Sequence, residues 1–389
     1  MEKHEIVREQ RIIPQRIKEA REYCLMSAAD LADKIDLSRQ AISQFENGAT
    51  NPTIENLQKI AYATNFPMQY FYKERRPQNS SPSQMPLYRG SPTKTRKLKR
   101  SYEIAASFSD DIIYYLKKYV IFTEPNFPGN FEFDYTNDID SINNIEEIVE
   151  KLRNHWSIGK GPVHDLVGVL ENNGVIISKI PNKVKEVEAF SLWYEKVPHI
   201  FYEGNRNTTA SYNFSICHEL GHLILHRNVL ENEAVDDSLY KKLEEQANLF
   251  AGAFLLPAET FGNEYITSNL DSFIAIKKRW GVSLGAMIMR AHVLGIIDKQ
   301  QKSYLFRQLS ASGYRKKEPY DDEMVFEGPS LLFNLVKTLV ERKIVDIQDF
   351  ISAFSIPIND LNAICSFPVG FINQYLYNER DIPQLRIVK

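Results

Sequence analysis

The sequence predicts a mostly α-helical protein built from several domains. Apolar residues recur with the helical period over much of the chain, and turn signals separate the helical segments. At ~150 residues per domain, a chain of 389 residues corresponds to two or three domains. Two β-rich segments, VIISK at 175–179 and HIFYEG at 199–204, predict one small sheet.

A basic stretch rich in Pro and Ser, residues 75–102, predicts the first domain boundary. It contains eight Lys or Arg residues and no acid, a composition that cannot bury a core. We expect an extended, mobile linker there. The predicted division is a small helical domain, this linker, a helical bridge, a central domain and a helical C-terminal appendage, at 1–74, 75–102, 103–158, 159–319 and 320–389.

Composition excludes several classes of protein. With 43% hydrophobic and 25% charged residues the chain is too apolar for intrinsic disorder, and no apolar run approaches the ~18 residues of a membrane helix. The first residues are charged throughout, unlike a signal peptide. Three widely spaced cysteines exclude a disulfide framework and a cysteine-rich zinc site. We therefore expect a cytoplasmic protein.

Charge is distributed unevenly along the chain. Residues 1–100 carry 18 basic and 11 acidic side chains, although the whole chain has a net charge of −3. The amino-terminal part can therefore approach a polyanion that the remainder would repel.

Five short helices are predicted between residues 14 and 72. Their starts are marked by Pro14, Ser27, Ser38, Thr53 and Pro67. The second and third, SAADLADKI and SRQAISQFENG, are joined by only three or four residues, which is the geometry of a helix-turn-helix.

This stretch, most clearly LADKIDLSRQAISQFENGATNPTIENLQKIA, resembles the Xre, or lambda-repressor-like, helix-turn-helix family. The resemblance implies a recognition helix at 38–47 that binds double-stranded operator DNA, with a homodimer spanning a two-fold site. The exposed face of that helix would carry Ser38, Arg39, Gln40, Ser43 and Gln44. Arg and Gln side chains can make paired hydrogen bonds to base edges. The alternatives are an ordinary solvated face or a protein-binding module.

The strongest chemical signal is His218-Glu219-Leu220-Gly221-His222. Helical spacing places His218 and His222 on one face, where both imidazoles can reach one ion. A catalytic zinc ion requires a third protein ligand and an open position for water. Glu244, on the next apolar-periodic segment, is the candidate, and Glu245 is the rival. Asn248, one turn beyond Glu244, could orient a ligand.

The neighbours of the two histidines have other expected roles. Glu219 cannot easily bind the ion that His218 binds, and we expect it to act as a general base toward water. Cys217 could be a thiolate ligand, but helical neighbours diverge by 100°, which favours a small buried residue. His226 lies one turn beyond His222, where it would border the site, stabilise the reaction intermediate or support a ligand.

The central domain resembles the ImmA/IrrE family of metallopeptidases over roughly 150–319. The resemblance rests on HELGHLILH together with GPVHDLVGVLENNGVIISKI, EEQANLFAGAFLLP and GYRKKEP. It implies an α+β zincin-like domain with Zn²⁺ held by His218, His222 and Glu244, and with Glu219 as the catalytic base. It also implies a protein substrate, typically a repressor or stress regulator, often of a mobile element or phage.

Two functions follow from these resemblances. The first is a DNA-binding transcriptional regulator that carries a zinc-dependent endopeptidase acting on a regulatory protein such as a repressor. The second is a non-proteolytic repressor whose peptidase-like domain is a sensor or protein-interaction module. The segment TTASYNFSIC motivates the second, because family members often carry a basic residue shortly before the metal helix and this chain does not. A structural metal in an interaction module is a third possibility.

Overall fold

The computed structural model describes residues 11–74, 92–129, 133–136, 141–181, 188–194, 196–204, 208–227, 229, 236–264 and 269–376. The helices in these ranges are α1 (Pro14–Tyr23), α2 (Ala28–Lys34), α3 (Arg39–Glu46), α4 (Ile54–Thr64), α5 (Pro92–Leu116), α6 (Ser141–His155), α7 (Leu166–Asn172), α8 (Thr209–Leu225), α9 (Asp237–Leu255), α10 (Ala258–Glu264), α11 (Leu270–Trp280), α12 (Leu284–Val293), α13 (Lys299–Ala311), α14 (Leu331–Glu341), α15 (Ile347–Phe354), α16 (Ile358–Ile364) and α17 (Phe371–Leu376). The strands are β1 (Ile176–Lys179), β2 (Ala189–Tyr194) and β3 (Val197–Tyr202). The predicted mostly α-helical, multidomain class is confirmed. Within the described ranges, no helix combines the length and apolarity that crossing a membrane requires.

The first four helices form the predicted amino-terminal module. The hydroxyl groups of Ser27, Ser38 and Thr53 accept backbone hydrogen bonds at the starts of α2, α3 and α4, as capping residues do. The buried Arg21 guanidinium binds both carboxylate oxygens of Glu46, at 2.5 and 2.8 Å, and so ties α1 to α3. The predicted fifth helix is a short 3-10 helix at Met68–Tyr72.

The predicted linker is helical from Pro92 onward, so the expectation of an extended chain was wrong for residues 92–102. Leu98 and Tyr102 are buried against the sheet, and the Ser101 hydroxyl donates to the carbonyl of Tyr23 at 2.7 Å. These residues lie on one stripe of the long helix α5, whose apolar partners come from distant parts of the chain. Residues 75–91 lie outside the described residues.

The two helices that cover the predicted bridge pack on different parts of the protein, and the predicted C-terminal appendage joins a core. Helix α5 packs on α1, whereas α6 packs on α9. Helices α14 to α17 share one apolar core with α5 and the amino-terminal module. The Lys73 ammonium, after the 3-10 helix, donates to the carbonyl of Ser352 in α15 at 2.5 Å. The C-terminal region is therefore part of the core around the helix-turn-helix.

A three-stranded sheet has the order β1-β3-β2, with β1 parallel and β2 antiparallel to β3. The sequence predicted β1 and β3, and β2 is an addition. One face of the sheet packs on α5 through Phe190, Leu192 and Phe201. The other face packs on α8, which is thereby buried between the sheet and α9.

Close packing of α8 against α9 leaves little room for a side chain at position 221. A Cβ atom on Gly221 would lie 3.1 Å from Cβ of Phe250 and 3.2 Å from its ring, so Phe250 would have to shift by a few tenths of an ångström. Gly221 therefore favours the close approach of the two helices on which the predicted metal ligands lie.

Candidate metal centre

Two histidines project from the middle of α8. The Nε2 atoms of His218 and His222 are 3.0 Å apart, as their spacing of one helical turn predicts. The helix begins at Thr209, capped by the Thr208 hydroxyl, so the segment TTASYNFSIC is its first half and does not precede it. Within that segment Tyr212 is a packing residue, since its ring stacks on Phe326 at 4.2 Å.

The third member of the cluster comes from α9. Glu244 places one carboxylate oxygen 3.5 Å from Nε2 of His218 and the other 3.4 Å from Nε2 of His222. Glu245 is exposed and lines a neighbouring cavity. The structure therefore brings Glu244, and not Glu245, to the two histidines.

The spacing of these atoms fits a zinc ion. Tetrahedral ligands held ~2.0–2.2 Å from zinc are separated by roughly 3.3–3.6 Å from one another. The two Nε2 atoms are 3.0 Å apart, and His218 and His222 lie 3.5 and 3.4 Å from Oε2 and Oε1 of Glu244, respectively. Two imidazoles and one carboxylate are also the ligand set of a catalytic zinc site, which keeps a fourth position open.

Charge at the cluster is shared between the carboxylate and the imidazoles. Burial by itself raises the pKa of Glu244, but its interactions with the His218 and His222 imidazoles lower that pKa by more, so the net pKa is well below the usual range. Burial lowers the pKa of His218, and Glu244 and Glu219 more than reverse that effect, so its net pKa is raised. The site thus concentrates negative charge that a cation would neutralise.

A chain of hydrogen bonds orients the two imidazoles. Nδ1 of His218 lies 3.0 Å from Oδ1 of Asn248, the partner that helical spacing predicted. Nδ1 of His222 lies 2.9 Å from Nδ1 of His226, whose Nε2 lies 3.0 Å from Oε1 of Gln246. The Gln246 amide donates to the carbonyl of Tyr135 at 3.2 Å, which assigns its oxygen to His226.

This chain has one consistent set of donors and acceptors. His226 donates from Nε2 to Gln246 and accepts at Nδ1 from His222, which leaves Nε2 of His222 free of a proton and facing Glu244. Burial lowers the pKa of His226 far below its usual value, so the ring is neutral as this arrangement requires. Of the roles weighed for His226, the contacts favour support of a ligand.

Glu219 is buried between α8 and the sheet. The Ser191 hydroxyl, on β2, donates to Oε2 of Glu219 at 2.8 Å and also lies 3.2 Å from its backbone carbonyl. Sequence reasoning missed Ser191 because it missed β2. The alternation of apolar and small residues in AFSLWY was the available signal.

Cys217 is fully buried in the core of this domain. Burial raises the pKa of its thiol, so the thiolate needed for metal binding is disfavoured. The interpretation as a small buried residue therefore agrees with the structure.

The predicted DNA-contacting face of α3 is accessible among the residues that the structure describes. Ser38, Arg39, Gln40 and Ser43 are exposed and Gln44 is half-buried, whereas Ile42 and Phe45 are buried in the core of the module. The Ser38 hydroxyl caps the helix by accepting from the Ala41 amide at 3.1 Å. The chain therefore leaves this face open to a partner.

Comparison with protein families agrees with both parts of this architecture. A family model described as Helix-turn-helix matches residues 17–71, and a model of the peptidase M78 family, described as IrrE N-terminal-like domain, matches residues 170–292. No curated protein matches the chain. The protein thus joins a helix-turn-helix DNA-binding domain to a domain of the M78 peptidase family, which confirms both resemblances. The second match implies a metallopeptidase-type hydrolase with a metal cofactor, typically zinc.

Proposed function

We propose that this protein is a DNA-binding transcriptional regulator with a zinc-dependent endopeptidase that hydrolyses a regulatory protein such as a repressor. The observation that carries the proposal is the convergence of His218, His222 and Glu244, with Glu219 on the same helix as the histidines. The helix-turn-helix on the same chain supports a role in regulation. Control of a mobile element, phage or stress response is the setting that the family resemblance implies.

Each residue of the centre has a role in this proposal. His218, His222 and Glu244 hold the ion, which when bound lowers the pKa of water and polarises a carbonyl group. Glu219 takes the proton of the attacking water and returns it to the leaving amine. Ser191 holds Oε2 of Glu219 and so orients the carboxylate.

The edge of the sheet offers a place for the substrate backbone. β2 has only one neighbour within the described sheet, and it packs directly on α8. An extended polypeptide can pair with such an edge through main-chain hydrogen bonds. We propose β2 as the strand that holds the substrate beside Glu219.

Proteolysis is tested with purified full-length protein and zinc. The protein is incubated with purified repressors as candidate substrates, and fragments are identified by mass spectrometry. We expect cleavage at a defined bond that stops with a chelator and returns with zinc. Intact substrates in every reaction, together with unchanged behaviour of Glu219→Gln in cells, would contradict the proposal.

Binding of DNA is expected to depend on the exposed face of α3. Arg39→Ala and Gln44→Ala should each weaken specific binding by about 1–3 kcal/mol, because each removes a side chain able to make paired hydrogen bonds to a base. Affinity is measured against a duplex selected from a random-sequence pool. Arg307→Ala and Gln300→Ala, exposed residues of α13, are matched controls. Equal losses in the controls would refute the assignment.

The alternative function is a repressor that senses an effector without cleaving a protein. It is favoured by the core that joins the helix-turn-helix, α5, α14 to α17 and Ile176 of the peptidase-family sheet. Through these contacts a change in the sheet can reach the DNA-binding module. Release of DNA by an effector, retained in His218→Ala and His222→Ala, would favour sensing over cleavage.

Support of the zinc ligands predicts a role for Gln246. Gln246→Leu should lower zinc affinity by about 10- to 100-fold, because it removes the hydrogen bond that fixes His226 and, through it, His222. Zinc affinity is measured by competition with a chromogenic chelator. Gln300→Leu, on the surface of α13, controls for the substitution itself. An unchanged affinity would show that His222 needs no such support.

A further inference from the structure

A large cleft opens beside the metal centre. Its volume is about 1060 Å³, and its walls come from α8, α9, α12, α13 and the segment that follows α13. Asn248 connects the two sites, since it lines the cleft and also binds His218. This volume is slightly larger than the ~300–1,000 Å³ typical of small-ligand pockets. The cleft therefore has room for a length of polypeptide.

One wall of this cleft is fixed by a buried lysine. Residues 314–318 and 321 line the cleft, and we call residues 314–321 the recognition wall. The fully buried Lys277 ammonium, on α11, lies 2.7 Å from Oε2 of Glu318 and 2.5 Å from Oδ1 of Asp321. A buried charge persists only when it is paired and hydrogen-bonded. The two carboxylates therefore hold the wall to the domain.

Backbone hydrogen bonds complete the anchoring of the wall. Glu318 also accepts from the Leu284 amide at the start of α12, at 2.9 Å, and Asp321 accepts from the Glu318 amide at 2.7 Å. Glu318 and Asp321 are thus engaged by α11, by the start of α12 and by the backbone of the wall itself. The charged side chains of residues 314–318 that do not anchor the wall are the basic ones.

The recognition wall faces the cleft with positive charge. Arg315, Lys316 and Lys317 are all exposed and line it. Lys317 pairs with Asp322, and Nε of Arg315 donates to the Ser310 hydroxyl at 2.6 Å, a contact that uses only one of the three guanidinium nitrogens of Arg315. Lys316 makes no ion pair with any residue that the structure describes.

Acidic side chains line the cleft from elements other than the recognition wall. Glu188 precedes β2, Glu203 follows β3, and Glu245 lies on α9 beside the predicted ligand Glu244. Positive charge on one element and negative charge on others give a ligand a preferred direction and suppress the reverse one. A polypeptide is favoured when its acidic side chain meets the recognition wall.

We propose that residues 314–321 form the substrate-recognition wall of the peptidase-family domain and that the cleft selects an extended polypeptide with a carboxylate side chain opposite Arg315 and Lys316. The inference rests on the proposed function in one respect, because only a peptidase would make the bound polypeptide a substrate. The anchored wall and its positive charge are structural features that do not depend on hydrolysis.

The test measures peptide binding to full-length, zinc-loaded protein carrying Glu219→Gln, so that no probe is consumed. The probes are fluorescein-labelled unstructured peptides of equal length in which Glu, Gln or Lys is moved through each position. Fluorescence anisotropy should show that the best Glu peptide binds about tenfold tighter than its Lys counterpart, and that added salt reduces the difference.

Two variants assign the preference to the wall. The double substitution Arg315→Glu with Lys316→Glu should reverse the preference, and since both residues are exposed it should leave folding intact. Lys299→Glu, at the exposed start of α13, also replaces a positive charge with a negative one, but away from the cleft. This variant should keep the preference for the Glu peptide. A preference unaltered by the double substitution, or no binding by any peptide, would overturn the inference.

The outcomes for the wall and for the proposed function are distinguishable. If the wild-type protein hydrolyses a substrate but shows no charge preference, the proposed recognition wall is refuted and the proposed peptidase activity stands. If the protein binds peptides selectively by charge but hydrolyses none, the peptidase activity is refuted and the wall stands as a polypeptide-binding surface.

Discussion

Replacing Glu219 with Gln is expected to lower the rate of peptide-bond hydrolysis by about 10²- to 10⁴-fold, the usual contribution of a general base. The amide has nearly the same size as the carboxylate and can still accept the hydrogen bond from Ser191, but it cannot take a proton from water. Zinc content and folding should be unchanged, because Glu219 is not a member of the three-residue cluster. The measurement is the single-turnover rate with a cleaved regulator.

The control for this substitution is Glu147→Gln. Glu147 is exposed on α6 and does not line the cleft, so the same chemical change should leave the rate within a few-fold of the wild type. A Glu219→Gln protein that cleaves as fast as the wild type would assign the proton transfer to another group.

Replacing Glu244 with Ala is expected to remove the ion at ordinary zinc concentrations. Structural sites with four ligands bind zinc with apparent free energies of ~10–16 kcal/mol, so one ligand is worth about 3 kcal/mol, roughly a 10²-fold loss of affinity. Binding to the folded protein also stabilises it. The variant should therefore lose the increase in melting temperature that zinc gives the wild type, together with all hydrolysis.

Glu245→Ala provides the matched control for zinc binding. It removes the adjacent carboxylate, which lines the cleft and does not reach His218 or His222. Zinc content by elemental analysis should stay at that of the wild type. If Glu245→Ala lost zinc and Glu244→Ala kept it, the third ligand would be Glu245 and the assignment of Glu244 would be wrong.

The position of the C-terminal region changes how the two functions can be coupled. Helices α14 to α17 pack on the amino-terminal module and on α5, where Tyr115 contacts the rings of Phe350 and Phe354. Glu171, at the end of α7, accepts from the backbone amides of Ser330 and Leu331 at the start of α14. The same helices thus contact both the DNA-binding module and the peptidase-family domain.

Local features were predictable because the residues that decide them are close in the chain. Ser27, Ser38 and Thr53 cap their helices within three residues, and His218 and His222 meet across a single turn. Asn248 was also found, since it lies one turn beyond Glu244 on the same helix. Helical geometry alone determines such relations.

Other features depended on contacts between distant segments. The linker prediction failed over 92–102 because Leu98 and Tyr102 find their partners in the sheet. Ser191 reaches Glu219 from a strand that was missed, and Gln246 reaches His222 only through His226. Composition and periodicity do not report which surfaces meet.

The sequence by itself determined the two families, the capped helices of the amino-terminal module, and the pair of histidines on one helix face. Only the tertiary structure decided which of Glu244 and Glu245 lies beside the histidines. The two side chains are about 100° apart around α9, so that Glu244 faces α8 and Glu245 faces the cleft. It also decided that the basic residues 315–317 line the cleft, because their wall is held by Lys277 from another helix. Spacing along a helix is a local property, whereas the meeting of two helices depends on the packing of the whole core.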